Sequence, residues 1–451
     1  MSSTSSTNSV ASRGVDAIGL TVVVGIALAA VHIAPEVRGD AAVIAAVGFL
    51  LLAGTLTSKL LEVLGLPHLT GYLLAGIIAG PHVLKLIDHE SVTRLQPVNT
   101  LALALISLAG GAELKLEIVR RFVKSLSIAM GLQSLAVLGA LSAVFYFAAG
   151  PLIPFTHSLT RAGVIGVAVL WGVIAVSRSP AATLAVLSQT RARGPLASFT
   201  LAFVMSSDVV VVLLLAGAMA IAKPLVDPSA TFTLAAFRGL GHEILGSVAI
   251  GTTLGLLLAA YLKLVGRQLL VVLIALGFGA TETLRYLHVE PLLTFIVAGF
   301  VVQNMSKQGD TFVHAIEGTG SVVYVVFFAS AGAHLDLPLL KELWPVALLL
   351  AFARAVVTFA TARVASRAAK DPPLIAKWGW ASLVSQAGLT LGLSAVIARE
   401  FPAFGAGFRA LAIATVAINE AVGPVLYKLS LDRAGETKTP APALDEPEEA
   451  K

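Results

Sequence analysis

Long apolar runs, separated by short polar stretches, fill almost the whole of this 451-residue chain. A helix needs about 20 mostly apolar residues to cross a bilayer, and fewer where other helices surround it. The pattern therefore predicts an all-α polytopic membrane protein with about 14 transmembrane helices. The predicted spans are Val15–His32, Ala41–Leu64, His68–Leu84, Val98–Gly111, Ser125–Ala149, Gly163–Ser188, Leu196–Ala222, Ile244–Val265, Leu269–Tyr286, Pro291–Asn304, Ser321–Ala333, Leu343–Ala365, Ile375–Ile397 and Phe404–Leu431.

The polar ends of the chain and the spacing of the spans predict its domain organisation. Residues 1–14 and 436–451 are polar and low in complexity, so we expect a disordered tail at each end. We expect residues 15–435 to form one transmembrane domain. In it, an extra first helix at 15–32 precedes two repeats at about 41–222 and 244–431.

The composition agrees with a membrane protein and excludes several classes of function. Hydrophobic residues make up 57% of the chain and charged residues only 13%, whereas soluble domains carry about 25% charged residues. A water-soluble enzyme is therefore excluded. The chain has no Cys, which removes disulfides, thiolate metal sites and Cys nucleophiles. It also has no phosphate-binding loop, so we expect no ATP-driven step. The net charge of +5 reflects the loop bias of a membrane protein, so we expect no nucleic-acid partner, and we expect neither a cofactor nor enzyme activity.

The loop charges predict the orientation of the chain. If the N-terminus is cytoplasmic, the cytoplasmic loops carry about twice as many Lys and Arg residues as the opposite loops. This is the bias expected of a multi-pass protein of the plasma (inner) membrane. The sequence thus predicts that both termini are cytoplasmic.

Two segments recur at a nearly constant offset. LTGYLLAG at Leu69–Gly76 resembles LLTFIVAG at Leu292–Gly299, and LAGGAELKLEIV at Leu108–Val119 resembles ASAGAHLDLPLL at Ala329–Leu340. The repeats lie an odd number of predicted spans apart, so they have opposite orientations in the membrane. Inverted-topology repeats are typical of secondary transporters that bind their substrate near the bilayer midplane.

The sixth span contains a predicted break in AVSRSPAATLAV at Ala175–Val186. Pro180 has no N–H and disfavours helix just before it. Arg178 places a charge near the break, and three hydroxyl groups are available to freed carbonyls or to a bound ion. The hydroxyl groups belong to Ser177, Ser179 and Thr183.

The thirteenth span carries a second polar segment, SLVSQAGLTLG at Ser382–Gly392, in which Ser385 and Gln386 stand out. It lies at nearly the repeat offset from the first break. Breaks at corresponding positions of two repeats indicate a transport site. The alternative is an ordinary proline kink and a polar contact between helices.

Asp208 lies within FVMSSDVVVVLLLA, with apolar residues on both sides for several turns. A charge inside a span is costly unless it is paired or hydrated, and a short Asp side chain cannot reach the membrane surface. Such a carboxylate suits a group that exchanges a proton for a metal ion. The alternative is a structural ion pair with Arg178 or Arg354.

Two further charges lie inside predicted spans. Arg354 cannot usefully deprotonate, so we expect it to hold a carboxylate or the carbonyls of a broken helix. Glu420 is interpreted either as a structural charge partner of these arginines or as a site residue.

Four motifs resemble the monovalent cation:proton antiporter superfamily, in its Kef-like and NapA-like branch. They cover the chain from about residue 41 to residue 436. The motifs are GYLLAGIIAGPHVL at Gly71–Leu84, LAGGAELKLEIVRR from Leu108, FFASAGAHLDL at Phe327–Leu337 and INEAVGPVLYKLSLDRAGE at Ile418–Glu436.

The resemblance implies a core domain with two crossed, broken helices, a dimerisation domain, a homodimer and elevator-like alternating access. It also implies that Asp208 is the ion-binding aspartate and that Arg354 is the basic residue of a late core helix. Ser207 stands where the family has Asp, Asn or Gln, so the lone carboxylate resembles electroneutral members. Arg178 departs from the family pattern, and no nucleotide-binding domain is expected after the last helix.

The leading hypothesis is an electroneutral antiporter that exchanges H⁺ for Na⁺ or K⁺, with proton and cation competing for Asp208. Hard cations prefer oxygen ligands, and five hydroxyl groups are candidates. Arg178 and Arg354 brace the crossing. One alternative is a non-transporting sensor with Arg178 as a tethered cation, and another is an ion-coupled carrier of an organic anion. The candidate hydroxyl ligands are Ser177, Ser179, Thr183, Ser206 and Ser207.

Overall fold

The computed structural model describes residues 19–25, 40–227, 235–265, 268–287, 289, 291–307, 309–335, 337–386 and 388–437, and the described residues are mainly α-helical. Within this part, seven helices are long and apolar enough to cross a membrane, and four shorter helices are also apolar. The chain is thus an all-α polytopic membrane protein. The count of fourteen spans stays a prediction, because only residues 19–25 of the first span are described, as helix.

Sixteen helices follow one another along the chain from residue 40 in the described part. They are α1 Asp40–Glu62, α2 His68–Ala79, α3 His89–Arg94, α4 Gln96–Glu113, α5 Leu116–Leu152, α6 Arg161–Val176, α7 Pro180–Thr190, α8 Pro195–Val226, α9 Ala235–Leu264, α10 Leu269–Tyr286, α11 Pro291–Met305, α12 Gly309–Ala333, α13 Leu337–Ala369, α14 Pro373–Trp378, α15 Gly388–Glu400 and α16 Gly405–Ala434. Single 3₁₀ turns lie at Pro154–Thr156 and Ala381–Leu383.

Several boundaries differ from the predicted ones. Helix α12 begins twelve residues before the predicted start at Ser321. The prediction relied on apolar runs, and the first half of this helix is polar. The predicted third span ends at Ala79 rather than Leu84, since Gly80 turns the chain. The short helix α3 was not predicted, and its start is capped by the Asp88 carboxylate, which accepts a 2.8 Å bond from Ser91 N–H.

The helices pack as two bodies. Helices α1, α2, α4 and α9–α12 pack on one another, and we call them the scaffold body. Helices α5–α8 and α13–α16 form the second group, the core body, around the stacked rings of Phe145 and Trp171. Both predicted broken segments lie in the core body.

An apolar layer separates the two bodies. The scaffold body contributes Leu73, Ile296 and Phe328, and the core body contributes Leu184 and Phe203. Burial of such side chains stabilises the interface without directional bonds. An apolar interface therefore tolerates a displacement of one body relative to the other better than a hydrogen-bonded interface does.

The two sequence repeats make equivalent contacts with each other. An added Cβ at Gly76 would overlap the carbonyl oxygen of Ala329, and one at Gly299 would overlap that of Leu108. The repeat aligns Gly76 with Gly299 and Leu108 with Ala329. Each repeat therefore places its glycine against the same position of the other repeat.

A second pair of glycines repeats this pattern. A Cβ at Gly111 would overlap the carbonyl of Ile296, and one at Gly332 would overlap that of Leu73. Gly111 aligns with Gly332, and Leu73 with Ile296. Two helix crossings, α2 with α12 and α4 with α11, are thus related to each other through four close contacts, as expected when two copies of one motif pack in inverted orientation.

The C-terminal boundary also needs correction by at least one residue. Glu436, the first residue of the predicted tail, is 8% exposed and lies within the fold. Its carboxylate accepts hydrogen bonds from the backbone of Leu196 and Ala197, as described below. The other tail residues, 1–14 and 438–451, lie outside the described residues.

Candidate functional site

The first broken helix consists of α6, an extended segment at Ser177–Ser179, and α7. Pro180 is the first residue of α7, where its missing N–H costs nothing. The hydroxyl of Ser179 accepts a 3.1 Å bond from Ala182 N–H and so caps the new helix. The break is therefore specified by the local sequence.

The second broken helix has a turn at Ala381–Leu383, then residues 384–386 outside any helix, and then α15, which begins at Gly388. This segment meets the first break directly, because Ser179 N–H donates a 3.1 Å bond to the carbonyl of Ser385. The two breaks predicted from the sequence thus cross at Ser179 and Ser385.

Arg354 lies under the crossing and is 1% exposed. Its guanidinium donates to two carbonyls of the first broken helix, Ala175 at 2.7 Å and Ser177 at 2.7 Å. It also donates to two carbonyls of the second, Val384 at 2.6 Å and Leu383 at 3.3 Å. The four carbonyl groups lie at the C-terminal end of the first half of each broken helix, where the partial negative charge of the helix dipole is located. One arginine therefore compensates both helix ends.

A chain of side-chain hydrogen bonds connects the crossing to α16. The Gln386 amide donates 2.8 Å to the carbonyl of Ile174 and accepts 2.8 Å from Asn419. It also donates 3.3 Å to the hydroxyl of Ser177, which bonds to Thr390. The polar atoms of both breaks are thereby held in fixed positions.

Arg178 is 1% exposed and points into the core body. It donates 2.8 Å to the Gln133 side chain and also bonds to the carbonyl of Val176. Its guanidinium carbon lies 4.9 Å from the ring centre of Phe203, a cation–π distance. Its charge is also close enough to attract the carboxylate of Asp208.

Asp208 lies in the middle of α8 and is 7% exposed. The preceding Ser207 is also buried and donates 2.7 Å to the carbonyl of Val204 on its own helix. Ser206 is partly exposed. The structure therefore places the predicted carboxylate in the core body, near the charge at the first break.

Three of the buried candidate hydroxyls, those of Ser177, Thr183 and Ser207, donate their hydrogens within the protein, and this leaves lone pairs for another partner. Ser177 donates 2.9 Å to Ile174, and Thr183 donates 3.0 Å to the carbonyl of Ser179. One carboxylate with several neutral oxygens suits a weakly held alkali cation. Within the described ranges, no cluster of three or more His, Asp or Glu side chains could hold a metal ion.

Glu420 differs from its expected role as a charge partner. It is 5% exposed, but no described cation lies within ion-pair distance of its carboxyl group. Arg354 is occupied by backbone carbonyls, and Arg178 points towards Gln133 and Asp208.

Sequence reasoning missed Gln133 and Asn419. Both are buried amides within apolar helices, Gln133 among apolar residues and Asn419 beside Glu420, and their position inside the helices was the available signal. Their partners, Arg178 and Gln386, are 45 and 33 residues away, so the pairing depends on how the helices cross.

The comparisons with known proteins concern the family and the fold of the chain. Residues 47–426 match the family model described as sodium/hydrogen exchanger, transmembrane. No curated protein matches the chain.

Solved structures share the fold. The structure of the sodium proton antiporter MjNhaP1 from Methanocaldococcus jannaschii at pH 8 has a TM-score of 0.63 and 17% identity, and the match covers 87% of this chain and 98% of that one. An electron-microscopy structure of the same antiporter has a TM-score of 0.70 and 17% identity, with 89% and 100% covered.

Proposed function

The chain belongs to the sodium/hydrogen exchanger family, and from this premise we propose that it exchanges H⁺ for Na⁺ or K⁺ with both ions competing for Asp208. The family makes it a cation/proton antiporter and not an enzyme. The single observation that carries the finer proposal is the Asp208 carboxylate, 7% exposed in the core body beside Arg178.

Competition follows from the chemistry of one carboxylate. A buried carboxylate cannot keep its charge without a partner, so it binds either a proton or a cation. One proton replaces one monovalent cation, and the exchange at Asp208 is electroneutral. Hydroxyl oxygens of the candidate set complete the coordination: Ser177, Ser179, Thr183, Ser206 and Ser207.

The two arginines have different roles in this mechanism. Arg354 fixes the crossing, because it bonds to both broken helices. Arg178 supplies a positive charge to Asp208 when neither ion is bound. A cation that enters the site then replaces Arg178 as the charge partner of the carboxylate, while Gln133 and the Phe203 ring continue to contact the guanidinium.

Alternating access follows from the two bodies. The core body carries Asp208 and both breaks, and the apolar layer lets it shift against the scaffold body to face each side in turn.

In this proposal the scaffold body is the dimerisation domain of a homodimer in the inner membrane, surrounded by lipid. Both termini are cytoplasmic, and the exchange serves pH homeostasis.

Proton flux in proteoliposomes tests the proposal. An internal pH dye reports the alkalinisation or acidification that follows addition of Na⁺, K⁺ or Li⁺. Asp208→Asn removes the exchangeable charge and should abolish cation-dependent flux. Asp432→Asn is the matched control, because Asp432 is 42% exposed in a surface pair with Lys428. Undiminished flux in Asp208→Asn would remove Asp208 from the mechanism.

A second candidate function is a non-transporting sensor in which Arg178 acts as a tethered cation. The closeness of Arg178 to Asp208 favours it. The wild-type protein would then show no flux, and Arg178→Ala would gain it. An organic-anion carrier is less well supported, because Arg178 is 1% exposed and already bonded to Gln133 and Val176.

A further inference from the structure

Glu420 is a buried carboxyl group that the proposed exchange does not use. It lies on α16 beside Asn419, and one turn further on, Gly423 packs against Ser385 of the second break. Glu420 is 5% exposed, and its Oε1 atom accepts no hydrogen bond. A charged carboxylate in such a place is strongly unfavourable.

Glu420 and Asp208 lie at similar distances along their helices from a common junction. The Glu436 carboxylate bonds to Leu196 N–H at 2.7 Å and to Ala197 N–H at 2.8 Å, which joins the end of α16 to the start of α8. At 1.5 Å per residue, Asp208 is about 18 Å along α8 from this junction and Glu420 about 21 Å back along α16. The core body therefore holds two carboxyl groups at similar distances from this junction.

The charges on the surrounding helices do not compensate Glu420. Helix α13 brings Arg354 to the crossing, but four backbone carbonyls occupy its guanidinium. Helix α8 brings Asp208, which would repel a second negative charge. The remaining charged groups of α2, α14 and α15 lie at the helix ends, at His68, Lys377, Arg399 and Glu400.

The charges of the crossing are already balanced without Glu420. Arg354 faces the negative ends of two half-helices, which together carry roughly one negative charge. Arg178 faces Asp208. In the ion-free state these charges balance, and no described cation lies within ion-pair distance of Glu420.

We propose that Glu420 is a second proton-binding site of the core body, and that it keeps its proton while Asp208 exchanges one ion for the other. The inference rests on the proposed exchange at Asp208 and adds a regulation to it. With Glu420 neutral, its side chain adds no charge to the moving core body. When high pH removes the proton, an uncompensated charge arises next to the Asn419–Gln386 bond and opposes the movement. Glu420 thus sets the alkaline limit of exchange.

Infrared difference spectroscopy of the full-length protein in proteoliposomes tests the protonation directly. The carbonyl-stretch band of protonated carboxyl groups should be present at neutral pH and lost at high pH. In saturating Na⁺, which keeps Asp208 in its cation-bound form, Glu420→Gln should remove that band. The matched control is Glu400→Gln, because Glu400 is 45% exposed and pairs with Lys223 at 2.8 Å. An unchanged band in Glu420→Gln overturns the proposal.

Proton flux as a function of pH tests the consequence. Glu420→Gln mimics the protonated side chain at every pH, so its exchange should persist at high pH where the wild type declines. An identical alkaline decline in both proteins would also overturn the proposal. Failure of the Asp208 proposal gives a different result: Asp208→Asn would keep its flux, while the band of Glu420 would remain.

Discussion

The backbone N–H of Ser179 donates a 3.1 Å hydrogen bond to the carbonyl oxygen of Ser385. This bond links two segments that are more than 200 residues apart, each at the break of a helix. Since Arg354 bonds to carbonyls on both sides of it, the two broken helices form one rigid unit. A shift of either break therefore displaces the other.

Replacement of Arg354 should destabilise the core body more than any other single change at the crossing. Arg354→Ala leaves four carbonyls at two helix ends without their donor, at a cost of at least about 3 kcal/mol. The melting temperature in detergent, followed by Trp fluorescence, should fall strongly. Arg354→Lys keeps the charge but loses the planar fork of donors. Its melting temperature should therefore lie between those of Arg354→Ala and the wild type. A wild-type melt for Arg354→Ala would contradict the bracing role.

The paired glycines should respond alike. Gly76→Ala and Gly299→Ala each push a methyl group into a backbone carbonyl of the other repeat, which should cost about 1–3 kcal/mol. Gly139→Ala is the control, because nothing lies within 4 Å of an added Cβ there. Gly139→Ala should leave the stability equal to that of the wild type or raise it slightly, because Ala favours a helix more than Gly does. Unequal losses at the two paired sites would argue against an equivalent packing of the repeats.

Loss of the Glu436 carboxylate should weaken the start of α8. Its two oxygens accept the N–H groups of Leu196 and Ala197 and lie at the positive end of that helix. Glu436→Gln should therefore lower stability by about 1 kcal/mol, and Glu436→Ala by more. Glu90→Gln removes a surface carboxylate paired with Arg94 and should have little effect. Equal melting curves for the Glu436 and Glu90 variants would show that the cap is unimportant.

Replacement of Arg178 should strengthen cation binding if the exchange mechanism holds. Its guanidinium attracts the same carboxylate that the cation must bind, so Arg178→Gln removes a competitor. The apparent affinity for Na⁺ in the flux assay should rise about tenfold, which corresponds to about 1.4 kcal/mol. Arg178→Lys should change it less. A weaker affinity in Arg178→Gln would mean that the arginine helps to build the site.

A reversible cross-link should stop exchange if the two bodies move. His68 N–H of the scaffold body donates 2.8 Å to Gln189 of the core body, and Lys428 donates 3.0 Å to the carbonyl of Gly65 nearby. The chain has no Cys, so a His68→Cys, Gln189→Cys pair carries its only thiols. A short thiol-reactive linker should block flux, and reduction should restore it. The single-Cys variants serve as controls, and flux through the cross-linked protein would contradict movement at this contact.

Local sequence was sufficient for the broken helices but not for their partners. Pro180 and the hydroxyl of Ser179 define the first break by local rules, and the polar run around Gln386 marked the second. The matched segments revealed the repeat, but the contacts between its two copies were not predicted from the sequence.

Pairings across the fold could not be read from the pattern. Glu420 was interpreted either as a charge partner of an arginine or as a site residue. No described cation pairs with it, because the guanidinium of Arg354 is satisfied by carbonyls that no side-chain pattern reveals. Gln133 and Glu436 were missed for the same reason, since the fold alone brings them to Arg178 and to the start of α8.

The junction at Glu436 also has a consequence for biogenesis. The start of α8 leaves the ribosome 240 residues before the carboxylate that caps it. The core body therefore cannot complete its assembly during synthesis of its first half, and the insertion machinery must tolerate an uncapped α8 until the last helix arrives. For the same reason, a purification tag fused directly after Ala434 would deprive α8 of its cap, whereas one fused beyond residue 437 leaves the junction intact.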